Sequence, residues 1–247
     1  MKNIVLILLL TLSSSLASAC ERTLSFGVLH EWWKPYYFQD NGEPTGSEVD
    51  FIKLVFNDAG ICYKTVPIPS SERALVELKQ GNIDLLFSAS YSEERAKYAH
   101  FSIPYRTENA RIFWNTSNSA ALKDANLAQL LTSGLQGAVN RGSYFGNEND
   151  PLIKKSKSFR RVPTLRQRIA LVSYNRVNFA IEDQAAGLLY LKENKINNIE
   201  MHPYVVFSDD ISLMYSKKSV PLPIVHQLDA AIAKNKREYP TLLQKYL

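Results

Sequence analysis

Cysteine is nearly absent from this chain of 247 residues, which holds only Cys20 and Cys62 and so leaves room for a single bridge. Histidine is scarce too, and His30, His100, His202 and His226 show no metal-ligand spacing, so no metal centre is expected. The G-x-S-x-G elbow, H-E-x-x-H, G-x-G-x-x-G and the P-loop are all missing, which removes the commonest signatures of hydrolases, zinc proteases and nucleotide enzymes. After residue 19 no apolar run reaches membrane-spanning length. The net charge of +5 is spread out, with no basic block beyond Lys154-Lys155-Ser156-Lys157 and Arg160-Arg161, and these read as a solvated face rather than a nucleic-acid surface. Internal repeats and low-complexity tracts are absent as well.

What is present begins with Lys2, an apolar run from Ile4 to Leu12 and the ending Ala17-Ser18-Ala19. A basic start, a short apolar stretch and an A-x-A end make residues 1–19 a secretory signal peptide, so the mature chain is expected outside the cytoplasm, in the periplasm. Export permits a disulfide. The competing use of Cys20 is lipidation, but Ala17 stands where a lipoprotein signal carries a Leu-like residue, which favours the bridge.

The mature sequence alternates strand and helix patterns. Leu24 to Leu29 reads as a strand, followed by the aromatic loop His30 to Phe38. Val49, Ile52, Phe56 and Ala59 share a helix face closed by Gly60, and Cys62 to Ile68 is the second strand. Ser70 or Ser71 caps a helix that Gly81 ends, and Ile83 to Phe87 is a third strand. This β-α-β-α-β order implies parallel strands, which would place Cys20 and Cys62 together at neighbouring strand starts. After Tyr105 the rhythm restarts with strands at Arg111 to Asn115, Gly137 to Asn140 and Asn178 to Ile181. Helices are expected around Leu122 to Leu131, after Thr164, and over Gln184 to Glu193. Extended segments Ile199 to Phe207 and Ile211 to Ser216 lead back to a C-terminal helix carrying Val225, Leu228, Ala231 and Ile232. The expected fold is α/β with two lobes joined by a two-segment hinge: residues 20–108 with 207–247 form a discontinuous lobe 1, and 109–206 form lobe 2.

In such folds ligands bind in the crevice beyond the strand C-termini, which directs attention to four clusters. Ser88, Ser90 and Arg95 follow the third strand and suit an anion, although Arg95 can equally pair with Glu93 or Glu94. Trp32, Trp33 and Tyr36 follow the first strand as a stacking face or as packing. Gly142-Ser143-Tyr144 offers N–H groups and a hydroxyl, or a plain helix cap. Asp183 suits a ligand ammonium, or caps the next helix.

The run Arg73…Leu78…Gly81-x-Ile83-Asp84…Ser92-x-x-Arg95…Phe101-Ser102-x-Pro104-Tyr105 resembles the periplasmic solute-binding proteins of family 3, typified by polar amino-acid binders of ABC importers. Gly46-x-x-x-Asp50, Gly142-Ser143 and Ala180-Ile181-Glu182-Asp183 match in the same order. The resemblance implies a type II binding-protein fold, a small zwitterionic ligand, an ABC permease as partner, a monomer and no cofactor. It implies that Arg95 grips the ligand carboxylate with help from Ser143, Ser88 and Ser90, that Asp183 holds the ammonium, and that Trp33 stacks. Arg73 matches a family position and joins the candidates. The segment Asp84 to Arg95 is one residue shorter than in typical amino-acid binders, so its loop is expected to be rebuilt. The same resemblance allows two other roles: a ligand-sensing module, and a dehydratase-like enzyme using Glu182 or Glu31 as its acid.

Overall fold

The computed structural model describes residues 20, 22–30, 32–118 and 126–247. The expected signal peptide, Glu31 and the start of the helix expected around Leu122 lie outside them.

In chain order the elements are β1 (Thr23–Leu29), β2 (Phe38–Asp40), β3 (Glu43–Thr45), α1 (Ser47–Ala59), β4 (Cys62–Ile68), α2 (Ser71–Gln80), β5 (Leu85–Ser90), α3 (Glu93–Ala96), β6 (Ala99–Phe101) and β7 (Arg106–Asn115). After the undescribed segment come α4 (Leu127–Thr132), β8 (Gly137–Val139), α5 (Gly146–Lys155), β9 (Phe159–Arg161), α6 (Leu165–Ser173), β10 (Phe179–Asp183), α7 (Gln184–Glu193), β11 (Ile199–Ser216), α8 (Leu222–Asn235) and α9 (Tyr239–Gln244). Among the described residues one sheet runs β4-β1-β5-β11-β7-β10-β8-β9, with β6 beside β11.

The first lobe forms because β1 buries Leu24, Phe26 and Val28 at period two, while α1 buries Val49, Ile52 and Phe56 at helical spacing. These meet Val225, Leu228 and Ile232 of α8 in one core, where each fully buried large side chain contributes roughly 1.5–3 kcal/mol. On the opposite face Ala74 and Leu78 of α2 pack on Ile83, Leu86 and Met214. Helix ends are set as the sequence signals: Ser70 accepts from Arg73 N at 3.2 Å, and Gly60 and Gly81 close their helices in the left-handed conformation. Parallel pairing sets Thr23 opposite Cys62, and the expected disulfide joins Cys20 to Cys62 with a Cα separation of 5.6 Å.

The second lobe repeats the sandwich. Ile112, Trp114 and Phe179 pack toward α4 and α5, whereas Phe113 and Ala180 pack toward α6 and α7. Two long strands serve both lobes. β7 and β11 pair antiparallel from Arg106↔Ile211 to Asn115↔Ile199, and the C-terminal part of β11 pairs with β5. The two extended segments expected before α8 are therefore one continuous strand.

Several local expectations change. β5 is displaced toward its C-terminus, so Ser88 and Ser90 lie within the strand instead of beyond it. Ser88 sits there at φ 52, where the β5–β11 register slips, a left-handed position uncommon for a residue with a Cβ. Gly142-Ser143-Tyr144 opens no helix, because α5 starts at Gly146. The three-residue strands β2, β3, β6 and β9 are too short to show a period in sequence.

Candidate functional site

A cavity of about 190 Å³ lies between the lobes. Its walls include Trp32, Trp33, Ser88, Ser90 and Arg95 from the first lobe, Glu108 from β7, and Ser143, Tyr144 and Asp183 from the second. Six of the seven ligand-site candidates thus meet in one place. Arg73 does not join them: it is exposed and pairs with Glu77 one helical turn on.

Arg95 is placed by Ser92, whose hydroxyl caps α3 by accepting from Arg95 N at 3.2 Å. Its guanidinium makes no ion pair with Glu93 or Glu94 among the described residues. Instead Nη1 donates to Ser90 O at 2.9 Å, and Nη2 crosses the cavity to Gly142 O at 3.0 Å, with Tyr144 facing it at 5.8 Å. Burial pulls the Arg95 pKa down from its ordinary value, yet an arginine stays charged at any physiological pH. Gly142 has φ 103, and a Cβ there would lie 3.1 Å from Glu72 N of the other lobe, so the close approach of the lobes relies on glycine. Asn140 Nδ2 adds a bond to Ser71 Oγ at 3.3 Å across the same gap.

Trp33 packs against Tyr36 with ring centres 4.4 Å apart and leans on the second lobe's core, whereas Trp32 is 54% exposed at the rim. One side of Trp33 is therefore committed to packing. The packing alternative is realised, and the residue also lines the cavity.

The end of the cavity nearest the crossing strands holds a charged network that the sequence reading missed. Glu48, fully buried on α1, accepts from Ser88 Oγ at 2.7 Å, Tyr105 OH at 2.6 Å and Arg106 Nε at 2.7 Å. Arg106 Nη2 donates to Ser88 Oγ at 2.8 Å and to Glu108 Oε2 at 3.0 Å, while its guanidinium carbon lies 4.4 Å from the Tyr36 ring centre. Ser88 therefore serves this network, which accounts for its unusual φ. Burial, offset by Arg106, raises the Glu108 pKa to about 7.

Asp183 takes the capping role as well as lining the cavity. Its Oδ1 accepts from Ala186 N at 2.8 Å at the start of α7 and from Tyr36 OH at 2.8 Å, and burial raises its pKa. Glu182 is held by Arg168 through both carboxylate oxygens, with Arg168 Nη2 to Oε2 at 2.8 Å. Both partners are buried, and burial pushes the Glu182 pKa up while Arg168 pulls it down. The one signal that could have marked part of the network is the charge alternation Arg106-x-Glu108 on one strand face, while Glu48 reads in sequence as an ordinary first-turn residue of a helix.

This geometry has relatives of known structure. A histidine kinase sensor domain with similarity to periplasmic binding proteins superposes with a TM-score of 0.78 at 20% identity, over 91% of this chain and 96% of that one. The arginine-, lysine-, histidine-binding protein ArtJ from Geobacillus stearothermophilus gives 0.77 at 19%, over 91% and 95%. The ancestral amino-acid-binding protein AncCDT-1, a precursor of cyclohexadienyl dehydratase, gives 0.73 at 21%, over 91% and 94%. Identities this low establish a shared fold. A comparison with curated proteins finds no match. The pattern of one family matches residues 24–247, almost the whole described chain, and the protein belongs to the bacterial extracellular solute-binding proteins, family 3.

Proposed function

We propose that the protein is exported to the periplasm, captures a small zwitterionic, amino-acid-like solute between its lobes, and delivers it as a monomer to the membrane permease of an ABC importer. The observation that carries this reading is the Arg95 guanidinium, half-buried in the wall of the cavity between the lobes and spanning from Ser90 O to Gly142 O. A cation so placed is suited to a carboxylate, and a charge-assisted bond of this kind contributes roughly 1.5–3 kcal/mol. The cavity volume of about 190 Å³ fits a compact solute rather than a drug-sized one, whose pockets run to roughly 300–1,000 Å³. Ser90, Ser143 and Trp33 supply further polar and stacking contacts, and the resemblance to ArtJ supports the ligand class. Closure would take place about β7 and β11, with 20–108 and 207–247 moving against 109–206.

The test is a thermal-shift screen of amino acids, oligopeptides and organic acids, followed by calorimetry on the best compound. Arg95→Ala should weaken its binding at least about tenfold. Unchanged affinity removes Arg95 from the site.

A second reading, a periplasmic sensing module, is favoured by the likeness to the histidine kinase sensor domain. Co-purification with a permease would support import, and co-purification with a receptor kinase would support sensing. A dehydratase-like enzyme draws support from AncCDT-1, but Glu182 is engaged by Arg168 on both oxygens and offers no free acid.

A further inference from the structure

We propose that Glu108, rather than Asp183, supplies the carboxylate that receives the ligand's positively charged amine, and so sets the preference of the site for amine-bearing solutes. The inference rests on reading the cavity as a solute site and narrows its ligand to compounds carrying a cation opposite the anion held by Arg95.

Asp183 is already committed. One of its oxygens accepts both the Tyr36 hydroxyl and the Ala186 N–H, its charge sits at the N-terminus of α7, and the residue is 7% exposed. Glu108 is likewise engaged through one oxygen, but it is less enclosed and sits at no helix terminus. Its Oε2 takes one bond, from Arg106 Nη2, its Oε1 takes none among the described residues, and its side chain is 25% exposed on the cavity wall. Strand register explains the direction. Ala110 opposes Asp183 and Phe207, and Glu108 opposes Asp209, so Glu108 lies on the same sheet face as two residues that line the cavity.

Charge makes the same assignment. Arg106 is shared between Glu48 at 2.7 Å and Glu108 at 3.0 Å, and Asp183 lies on the same side, so one guanidinium serves three carboxylates. At the other end the Arg95 guanidinium bonds only backbone carbonyls among the described residues, with Asp150, Asp209 and Glu94 near it but beyond ion-pair distance. The cavity is therefore dipolar, positive at Arg95 and negative at Glu108, which complements a zwitterion in one orientation.

A consequence is proton linkage. The groups facing Glu108 are Arg106 on its own strand, Glu48 on α1, Tyr36 from the loop after β1, Asp183 on β10 and Asp209 on β11. Burial and the carboxylates hold its pKa up to about 7, and Arg106 alone opposes them. An arriving ammonium favours the carboxylate form, so binding below about pH 7 expels a proton and affinity falls as pH is lowered.

The experiment uses the common L-amino acids and their 2-oxo acid counterparts, which keep carboxylate and side chain but lack the amine. Each is screened by thermal shift on the full mature protein and on Glu108→Gln, Glu108→Asp and Arg95→Ala, with calorimetry at pH 6 and 8 for the strongest. The expected result is an amino acid whose affinity drops about tenfold from pH 8 to pH 6. That affinity should fall at least about tenfold in Glu108→Gln, losing its pH dependence, and recover in part in Glu108→Asp, while the matching 2-oxo acid binds Glu108→Gln no worse than wild type. If Arg95→Ala weakens amino-acid binding but Glu108→Gln leaves affinity and pH dependence unchanged, the role of Glu108 is overturned and the solute-site reading stands. If no amino acid stabilises the wild type, or only 2-oxo acids do, the amine-binding role is overturned directly; an absence of any stabilising compound also counts against the solute reading itself.

Discussion

Two buried ion pairs border the cavity, and they are built to different plans. Arg168 and Glu182 meet through both carboxylate oxygens, and Arg168 Nη1 is satisfied by Val162 O at 2.8 Å. Nothing in that pair is left to offer. Arg106, by contrast, is divided between Glu48 and Glu108, leaves its Nη1 without a partner among the described residues, and leaves one Glu108 oxygen without a bond. A closed pair holds a lobe together. An open one at the meeting of α1, β7 and the cavity leaves charge incompletely compensated, at a cost the folded protein must carry.

The comparison is broken most severely at the closed pair. Arg168→Ala strands the buried Glu182 carboxylate and should cost about 3–5 kcal/mol in urea denaturation, whereas the joint change Arg168→Met with Glu182→Gln should recover most of that loss. A double variant as unstable as the single one would show that the pair does more than neutralise itself.

The open network should respond to pH instead. The Glu108 carboxyl has a folded-state pKa of about 7, above its ordinary value, so the folded protein binds this proton more tightly than the unfolded chain does. Stability from this group is present at low pH and is lost as pH rises through the window from about 4.5 to 7. From pH 5 to 8, wild type should lose on the order of 2 kcal/mol relative to Glu108→Gln, read from paired denaturation curves. Parallel curves would place the Glu108 pKa at its ordinary value and remove the contrast between the two pairs. The raised pKa values of Glu182 and Asp209 act in the same direction in both proteins and cancel in the difference, whereas Asp183 interacts with Glu108 and its contribution changes with the substitution.

The smallest effect is expected at Arg73. Its pairing with Glu77 is an exposed pair one helical turn apart, so Arg73→Ala should change stability by no more than about 0.5 kcal/mol and leave ligand affinity unaltered. A measurable loss of binding would return Arg73 to the site and extend the cavity beyond its present walls.

Legibility in the sequence followed the range of the interactions involved. The first lobe was readable because its signals are local: Ser70 and Gly81 bracket α2, Gly60 ends α1, and apolar periods name the buried faces. The position of Arg95, Trp33 and Asp183 on the cavity wall was readable because they stand at or beyond strand ends, where α/β topology puts ligands. Glu48 was not, since an acid in the first turn of a helix is ordinary and only the approach of Arg106 and Tyr105 from distant segments makes it a buried hub. Glu108 was passed over as part of an extended linker, because its importance depends on the pairing of β7 with β11, and register between distant strands leaves no local mark. The engagement of Asp183 by Tyr36 was likewise hidden, since that tyrosine is 147 positions away in the chain.

The most direct measurement is calorimetry at pH 6.5 of the amino acid that most stabilises the wild type, repeated in two buffers of different ionisation enthalpy, so that proton exchange on binding is counted. Net proton release is expected in wild type, little or none in Glu108→Gln, and binding weakened at least about tenfold in Arg95→Ala. Equal heats in both buffers for wild type, or release that persists in Glu108→Gln, would contradict the role proposed for Glu108.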